Sequence, residues 1–564
     1  MAAKASLSYM PKGSNPLLYK PGVDPIVHLD QDTFEDTVFD PANTNGYFVE
    51  YYADWCGHCR AFAPFYREFA NSVSDWSDVV KVGAVNCADS GNTQVCRSNG
   101  VIYFPMIKYF PRYASSYNDG IVVDAAHNVA NLKDQLASKV VNEFMRTPYS
   151  DWPNFQYLSV NSNTRYDDLW AGFNSANFLV IFFEQFESDA SKFMLDLHPF
   201  RNQIGVRRAL ATSPLVGMLH ITTFPYVAMF RRGDQQAIYM GPYGSSSSVK
   251  EILNRAQPGQ VVTTPRVITT TKKMDIIDCD GEPHRCEALY FVSETDLLKA
   301  MHYALLDEVI RSSNYIQGQN FTNLYNFVSL LSEHFPSLTF ANSPSLRRAK
   351  RAVASTILKK SERARLVFSH LKQFLEQKPG FVSAQEWQNQ FESVERVYAH
   401  PFPTNASWQQ CQGSSPQFRG YTCGLWTTFH TLTVHAYMDT MKNRNFNPLK
   451  PLKAIQGWVN SFFGCEHCRQ HFMQMTKTIF PLNDRRVRVR HDMIMYLWRA
   501  HNIVNHRLHG DVTEDPQFIK YQFPPLFLCP MCHSGGHFSR RQVRNFLLRY
   551  YANIKPHHRI HSRR

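Results

Sequence analysis

The sequence predicts a multidomain protein, α/β in its first half and all-α in its second. Three observations carry that expectation. At 564 residues the chain exceeds what one hydrophobic core organises, so three to five domains are expected. The segment NGYFVEYYADWCGHCRAFAPFYREFA passes from a continuous apolar run to helical spacing across one turn, and a weaker echo follows later. From Ala288 onward the apolar pattern turns helical, as in ALYFVSETDLLKAMHYALLDEV. With 44% hydrophobic and 19% charged residues, the chain has the composition of a folded protein.

The first module is expected at residues 1–145. A buried strand over 47–52 ends at Trp55, and residues 62, 65, 66 and 69 give the next segment helical spacing. Cys56 therefore opens a helix, where the dipole and unpaired N–H groups stabilise a thiolate. Glu50 is placed to relay the proton that Cys59 must lose before it attacks. A structural disulfide or half a metal site would use the same letters, but a C-x-x-C at a strand-to-helix junction favours redox chemistry. In VIYFPMIKYF, Pro105 sits inside an apolar strand pattern, which a cis Phe104–Pro105 bond would explain. These features resemble the thioredoxin superfamily, and WCGHC is similar to the active site of protein disulfide isomerases. The resemblance implies that Cys56 attacks substrates, Cys59 resolves and Pro105 packs beside the dithiol.

Residues 146–272 echo this module. FLVIFFEQFES stands where FVEYYADWCGHC stood, and ITTFPYVAMF matches VIYFPMIKYF. No cysteine lies between 97 and 278, so a second thioredoxin-like domain here is redox-inactive and serves as a spacer. Residues 259–271, GQVVTTPRVITTT, mark a boundary. A helix-rich region follows over 273–400.

At 401–550 the segment PLKAIQGWVNSFFGCEHCRQHFMQM places Ile455, Trp458, Val459, Phe462 and Phe463 on one helical stripe. Cys465 and Cys468 are expected within that helix or its first turn after Gly464. They could form half a zinc site, but the next pair, CPMC at 529–532, lies well beyond the usual ~15–20 residues. CPMCH also matches a c-type haem pattern, for which nothing nearby supplies a pocket. Two further helices carry unusual faces. Trp498, His501, Asn502 and Asn505 share one, Trp426 and His430 the other; such faces suit a flat heteroaromatic ligand better than a core.

FRGYTCGLWTTFHTLTVHAY, FFGCEHCRQHF, LWRAHNIVNHRL and EDPQF together resemble the Erv-type sulfhydryl oxidase domain, a helical bundle holding FAD. Joined to the WCGHC module, the whole chain is similar to the quiescin sulfhydryl oxidase family. The resemblance implies two thioredoxin-like domains, a degenerate Erv-like helical region and an FAD-binding bundle. It implies FAD contacts from Arg419, Trp426, His430, His471, Trp498, His501, Asn502, Asn505 and Lys520. Cys465 would be the exposed interchange thiol, and Cys468 would lie against the flavin. Relatives often carry an acidic residue at position 467 and tryptophan at 523, where this chain has His467 and Phe523. The implied reaction oxidises reduced protein thiols, with molecular oxygen as final acceptor and H₂O₂ as product. The rival readings are a disulfide isomerase or chaperone without flavin, and a secreted zinc-binding protein.

The twelve cysteines form six close pairs, which suggests an oxidising compartment. Beyond the two redox pairs, Cys87–Cys96, Cys279–Cys286, Cys411–Cys423 and Cys529–Cys532 are expected to be structural, the last a clasp rather than a third relay. Sequons at Asn320 and Asn405 agree with a secretory-pathway location, Golgi or extracellular. RAKR at 348–351 reads as a solvated basic face or a processing site. The first thirty residues hold no signal-peptide core, so the expectation is that a leader is missing. No apolar run approaches the ~18 residues of a membrane span. The net charge of +13 is diffuse apart from local clusters and a basic tail at 551–564, and no nucleic-acid reader motif accompanies it. No metal is expected.

Overall fold

The computed structural model describes residues 18–161, 164–185, 190–244, 246–256, 279, 281–311, 313–336, 359–443 and 445–556. The boundary at 259–271, the RAKR run and tail residues 557–564 lie outside the described residues.

The first module is a five-stranded mixed sheet. Its strands run Val27–Leu29, Val80–Asn86, Gly46–Tyr52, Met106–Phe110 and Ile121–Val123 in spatial order, the first three parallel and the last two antiparallel. Gly46–Tyr52 is central and buried along its whole length, which is why its sequence is a continuous apolar run rather than an alternating one. The Gly57–Ser72 and Val129–Arg146 helices pack against each other beside the sheet. The Phe104–Pro105 bond is cis, and Pro105 sits just before the strand that begins at Met106.

The second module repeats the plan with four strands, in the order Ile204–Leu210, Phe178–Glu184, Tyr226–Arg231 and Ala237–Pro242. Here too the first pair is parallel and the others antiparallel, and Phe224–Pro225 is cis. Asp196 joins the two modules by accepting from Trp76 Nε1 at 2.7 Å and Lys133 Nζ at 2.9 Å.

The remaining chain is helical. The Leu449–Phe462 helix packs on Gly318–His334, and Gly420–Asp439 packs on Glu294–Leu305. The regions expected at 273–400 and 401–550 thus share one apolar interior. Val292–Ser293 pairs with Ile554–Lys555, closing the body at its end. Of the two placements expected for the Cys465–Cys468 dithiol, the structure takes the turn after Gly464. Leu449–Phe462 stops before the dithiol, and a separate helix, Glu466–Gln474, starts with Cys465 at its N-cap. At the break Phe463 is extended, and Phe104 N–H donates to Gly464 C=O at 2.8 Å. Among the described residues no helix is long and apolar enough to cross a membrane.

Candidate active site

Two dithiols face each other at the junction of the first module and the helical body. Cys56 N-caps the Gly57–Ser72 helix, and Cys59 lies in its first turn; both are buried free thiols. Burial pushes both thiols up. For Cys56 this is outweighed by hydrogen bonds from the Cys59 side chain and backbone and by the nearby Arg60 charge, so it ends below its ordinary value. Cys59, with Cys56 as neighbour, stays well above it. The pair is therefore asymmetric, one thiol ready to attack and the other protonated. Beneath them Glu50 is buried and accepts from Tyr19 Oη. Burial pushes Glu50 up to about 8, the Tyr19 hydrogen bond opposing the rise.

Across the junction Cys465 and Cys468 form a disulfide. Phe104 and Cys465 pair as an isolated parallel bridge, so the loop carrying Pro105 lies along the approach to Cys465. Trp55 stacks on Phe463 at 5.4 Å, and His58 stacks on His467 at 4.6 Å with planes 8° apart. These two ring pairs flank the dithiols. His127 and His471 extend the imidazole cluster. Burial, then the neighbouring imidazoles, holds His58 down to about 4. Cys465 is buried under the docked module, not exposed as the resemblance implies.

Beside Cys468 opens a cavity of about 350 Å³. Arg419, Trp426, His471, His501, Asn505 and Lys520, all expected as cofactor contacts, line it. Trp426 and His501 stack at 4.0 Å with planes 6° apart. Arg419 adopts φ +65°, a left-handed conformation rare for a side-chain-bearing residue, and its guanidinium lies 3.9 Å from the Phe518 ring centre. Burial, then repulsion from Arg419, brings Lys520 down to about 8.

Three expected contacts stand one layer behind the wall. His430 Nε2 shares a 3.0 Å hydrogen bond with His501 Nδ1. Trp498 Nε1 donates to Phe523 C=O at 2.5 Å. Asn502 Nδ2 donates to the same carbonyl at 2.9 Å, while its Oδ1 accepts from Phe523 N–H at 2.8 Å. Trp498 and Asn502 hold the turn at Phe523, and His430 braces the His501 ring from behind. Sequence reasoning missed Trp55, His58 and Arg60, which line the cavity from the opposite module, and Tyr550 and Tyr551. The YY pair ending the Arg540–Ala552 helix was a usable signal. For Arg60 there was none, because only docking brings it there.

The Erv1/Alr family matches residues 423–524, and the thioredoxin family matches residues 25–137. Sulfhydryl oxidase 1 of Cavia porcellus is 30% identical over 516 residues, 91% of this chain and 78% of that protein. The chain belongs to the quiescin sulfhydryl oxidase family. Sulfhydryl oxidase 1 of Gallus gallus is 30% identical over 531 residues, covering 93% of this chain. The chain spans just under two thirds of the length of the first such relatives, 66% of the chicken protein and 64% of the mouse one. A solved sulfhydryl oxidase fragment of a human family member aligns with 47% of this chain and 98% of its own, at 29% identity and a TM-score of 0.38.

Quiescin sulfhydryl oxidases are FAD-dependent, and the cavity's donor set fits that group. A stacked aromatic wall suits an isoalloxazine or adenine ring. Two half-buried cations, Arg419 and Lys520, suit a pyrophosphate. His430 Nδ1 is buried without a hydrogen-bond partner. The family's remaining cysteines are closed as Cys87–Cys96, Cys279–Cys286, Cys411–Cys423 and Cys529–Cys532. Cys411–Cys423 ties Gln412 and Arg419 at the mouth of the Gly420–Asp439 helix. Asn405 is exposed, whereas Asn320 is partly buried in the first turn of Gly318–His334. Among the described residues no three His, Cys, Asp or Glu are grouped to hold a metal.

Proposed function

We propose that the chain is a flavin-dependent thiol oxidase that inserts disulfides into protein substrates and passes their electrons through two dithiols. The observation that carries this reading is the docking of the Pro105 loop on Gly464 and Cys465, which turns the two dithiols toward each other.

In the open state a substrate thiolate attacks Cys56 of the Cys56–Cys59 disulfide, and Cys59 leaves, taking a proton from Glu50. A second substrate thiolate then displaces Cys56, closing the substrate disulfide. The substrate has lost two electrons and the Cys56–Cys59 pair has gained them. In the docked state Cys56 thiolate attacks Cys465, forming Cys56–Cys465 and releasing Cys468 thiolate. Cys59, its proton returned to Glu50, attacks Cys56; Cys56–Cys59 re-forms and Cys465 leaves as thiolate. A carboxyl titrating at about 8 serves both directions near neutral pH.

Arg419 and Lys520 would hold the FAD pyrophosphate, Asn505 and His501 its polar edges, and Trp426 and His471 its rings. When bound, FAD would supply a two-electron acceptor for the reduced Cys465–Cys468 dithiol, with O₂ as final acceptor and H₂O₂ as product. His430, Trp498 and Asn502 would support those contacts from behind. Because Cys56 is fully buried when docked, protein thiols reach it only after the modules part. The two pairs share one chain, so each encounter starts from a high effective concentration. Reduced unfolded or secreted proteins are the proposed substrates, in the Golgi or outside the cell. Cys529–Cys532 serves as a clasp on the last helix.

Cys465→Ser tests the reading: oxygen consumption with dithiothreitol should stop while the yellow FAD band stays. Cys56→Ala should retain dithiothreitol oxidation and lose oxidation of reduced protein. Equal loss on both substrates would refute the relay order, and a colourless protein after refolding with FAD would return the chain to the isomerases.

A further inference from the structure

The helical region before residue 400 holds no redox dithiol, yet its short Asp307–Arg311 helix stands where the two dithiol modules meet. Arg311 is buried there. Its Nη1 donates to Val101 C=O at 2.9 Å, four residues before Pro105 on the docking loop. Its Nη2 donates to Phe462 C=O at 3.2 Å, three residues before Cys465. The same Nη2 pairs with Glu308 Oε2 at 2.6 Å, and the guanidinium carbon lies 4.6 Å from the Phe104 ring centre. One planar cation thus holds both backbone segments that meet in the Phe104–Gly464 hydrogen bond.

Gly464 fits this bracket because it lacks a side chain. A Cβ there would come within 2.5 Å of Arg311 Nη2 and 2.7 Å of the Phe104 ring. Neighbouring residues of the same region grip the N-terminal module alongside. Tyr303 Oη accepts from Trp55 Nε1 at 3.0 Å, and Asp307 Oδ1 accepts from Thr93 Oγ1 at 3.4 Å.

We propose that Arg311, oriented by Glu308, is a positioning residue for dithiol exchange: it sets the Pro105 loop and the Cys465 approach in register, so that Cys56 meets the Cys465–Cys468 disulfide. The step it serves forms Cys56–Cys465 and breaks Cys465–Cys468, the electron pair leaving on Cys468. The inference rests on the proposed relay. A fixed fork binding two carbonyls and a carboxylate suits arginine specifically, so lysine should restore only part of the effect.

The test combines trapping with activity, in the full-length FAD-bound chain. With Cys59→Ala and Cys468→Ala in place, the Cys56–Cys465 bond is titrated against a glutathione redox buffer. Arg311→Met is added together with Glu308→Gln, so that no lone buried carboxylate remains. The expected result is a loss of effective concentration on the order of a hundredfold, as for a misplacement of about 1 Å. Arg311→Lys should fall between. In the otherwise native chain, protein-thiol oxidation should drop while dithiothreitol oxidation and the FAD spectrum hold. Unchanged trapping overturns the proposal, and so does a parallel loss of FAD and of both activities, the mark of a cation serving packing alone. Should the double variant not fold, Gly464→Ala decides, since its Cβ would press on Arg311 Nη2 and the Phe104 ring and so wedge the bracket apart while both charges stay in the chain; wild-type trapping there overturns the proposal. If the parent trap itself forms no Cys56–Cys465 bond, the relay order fails instead.

Discussion

Glu50→Gln separates the electrostatics of the N-terminal dithiol from its packing. Glu50 is buried on the central strand, and burial pushes it from 4.5 to about 8. At neutral pH the folded protein therefore holds a protonated carboxyl that the unfolded chain ionises. A raised folded value gives a contribution that is fully present below pH 4.5 and is lost as pH rises toward 8. At about 1.4 kcal/mol per unit, the loss reaches about 3 kcal/mol at pH 7 and about 5 kcal/mol above pH 8. Glutamine keeps a carbonyl to accept from Tyr19 and removes the titration. The variant should match the parent near pH 4.5, exceed it by about 3 kcal/mol at pH 7, and gain most at pH 8.5. Urea unfolding of the full-length chain with Cys56 and Cys59 reduced, followed by tryptophan fluorescence at several pH values, reads this directly. Protein-thiol oxidation should slow in the same variant, because Cys59 loses its proton acceptor. A stability difference that stays constant with pH would refute the assignment, since packing alone has no such dependence.

Lys520→Met should weaken FAD binding tenfold to a hundredfold, the scale of ~1.5–3 kcal/mol for one charge-assisted hydrogen bond. Because burial brings Lys520 down to about 8, affinity for FAD in the parent should also fall as pH rises through that value. Fluorescence titration of the apoprotein with FAD checks both, and a pH-independent affinity refutes the role. The imidazole stack supplies an acid limb. His58 faces His127, His467 and His471, with Arg507 and Asp511 acting on His467 beyond, and is held neutral down to about 4 while docked. Undocking removes His467 and His471 but leaves His127, so His58 rises toward its ordinary value and acidification favours separation of the modules. The ratio of protein-thiol to dithiothreitol oxidation should fall between pH 7 and 5, and His58→Asn should flatten that fall.

Local chemistry was legible in the sequence; the meeting of distant segments was not. The Gly46–Tyr52 strand, the helix opened by Cys56 and the faces carrying Trp426 and His501 all follow from spacing within one element. The choice between a dithiol inside the Leu449–Phe462 helix and one in the turn after Gly464 did not, because periodicity runs unbroken through Phe462 and Phe463. In the structure Phe104, from a segment far upstream, donates to the Gly464 carbonyl, a contact no local spacing announces. The same limit hid the layering of the cavity. Trp498 and Asn502 share a helical face with His501 and Asn505, but the Phe523 turn comes between the first two and the cavity and takes their hydrogen bonds.

The docked face has to satisfy two opposed demands. Exchange needs the sulfur atoms held in register, while the next substrate needs Cys56 uncovered. An interface rich in paired surface charge would reward docking at every pH, and apolar burial alone would set no register. The residues seen divide the work. Aromatic pairs, Trp55 on Phe463 and Trp55 against Tyr421, supply non-directional burial. A few backbone-directed bonds, Phe104 to Gly464, Arg60 to Thr513 and Arg311 to two carbonyls, supply register. The ion pair that anchors them, Arg311 with Glu308, lies within the helical region, so opening the face need not break it. Opening exposes an imidazole and a dithiol on each side together with aromatic rings such as Trp55 and Phe463, whose reburial favours each return. A relay cycling between two partners needs that division, with a few directional bonds setting register and apolar burial driving each return.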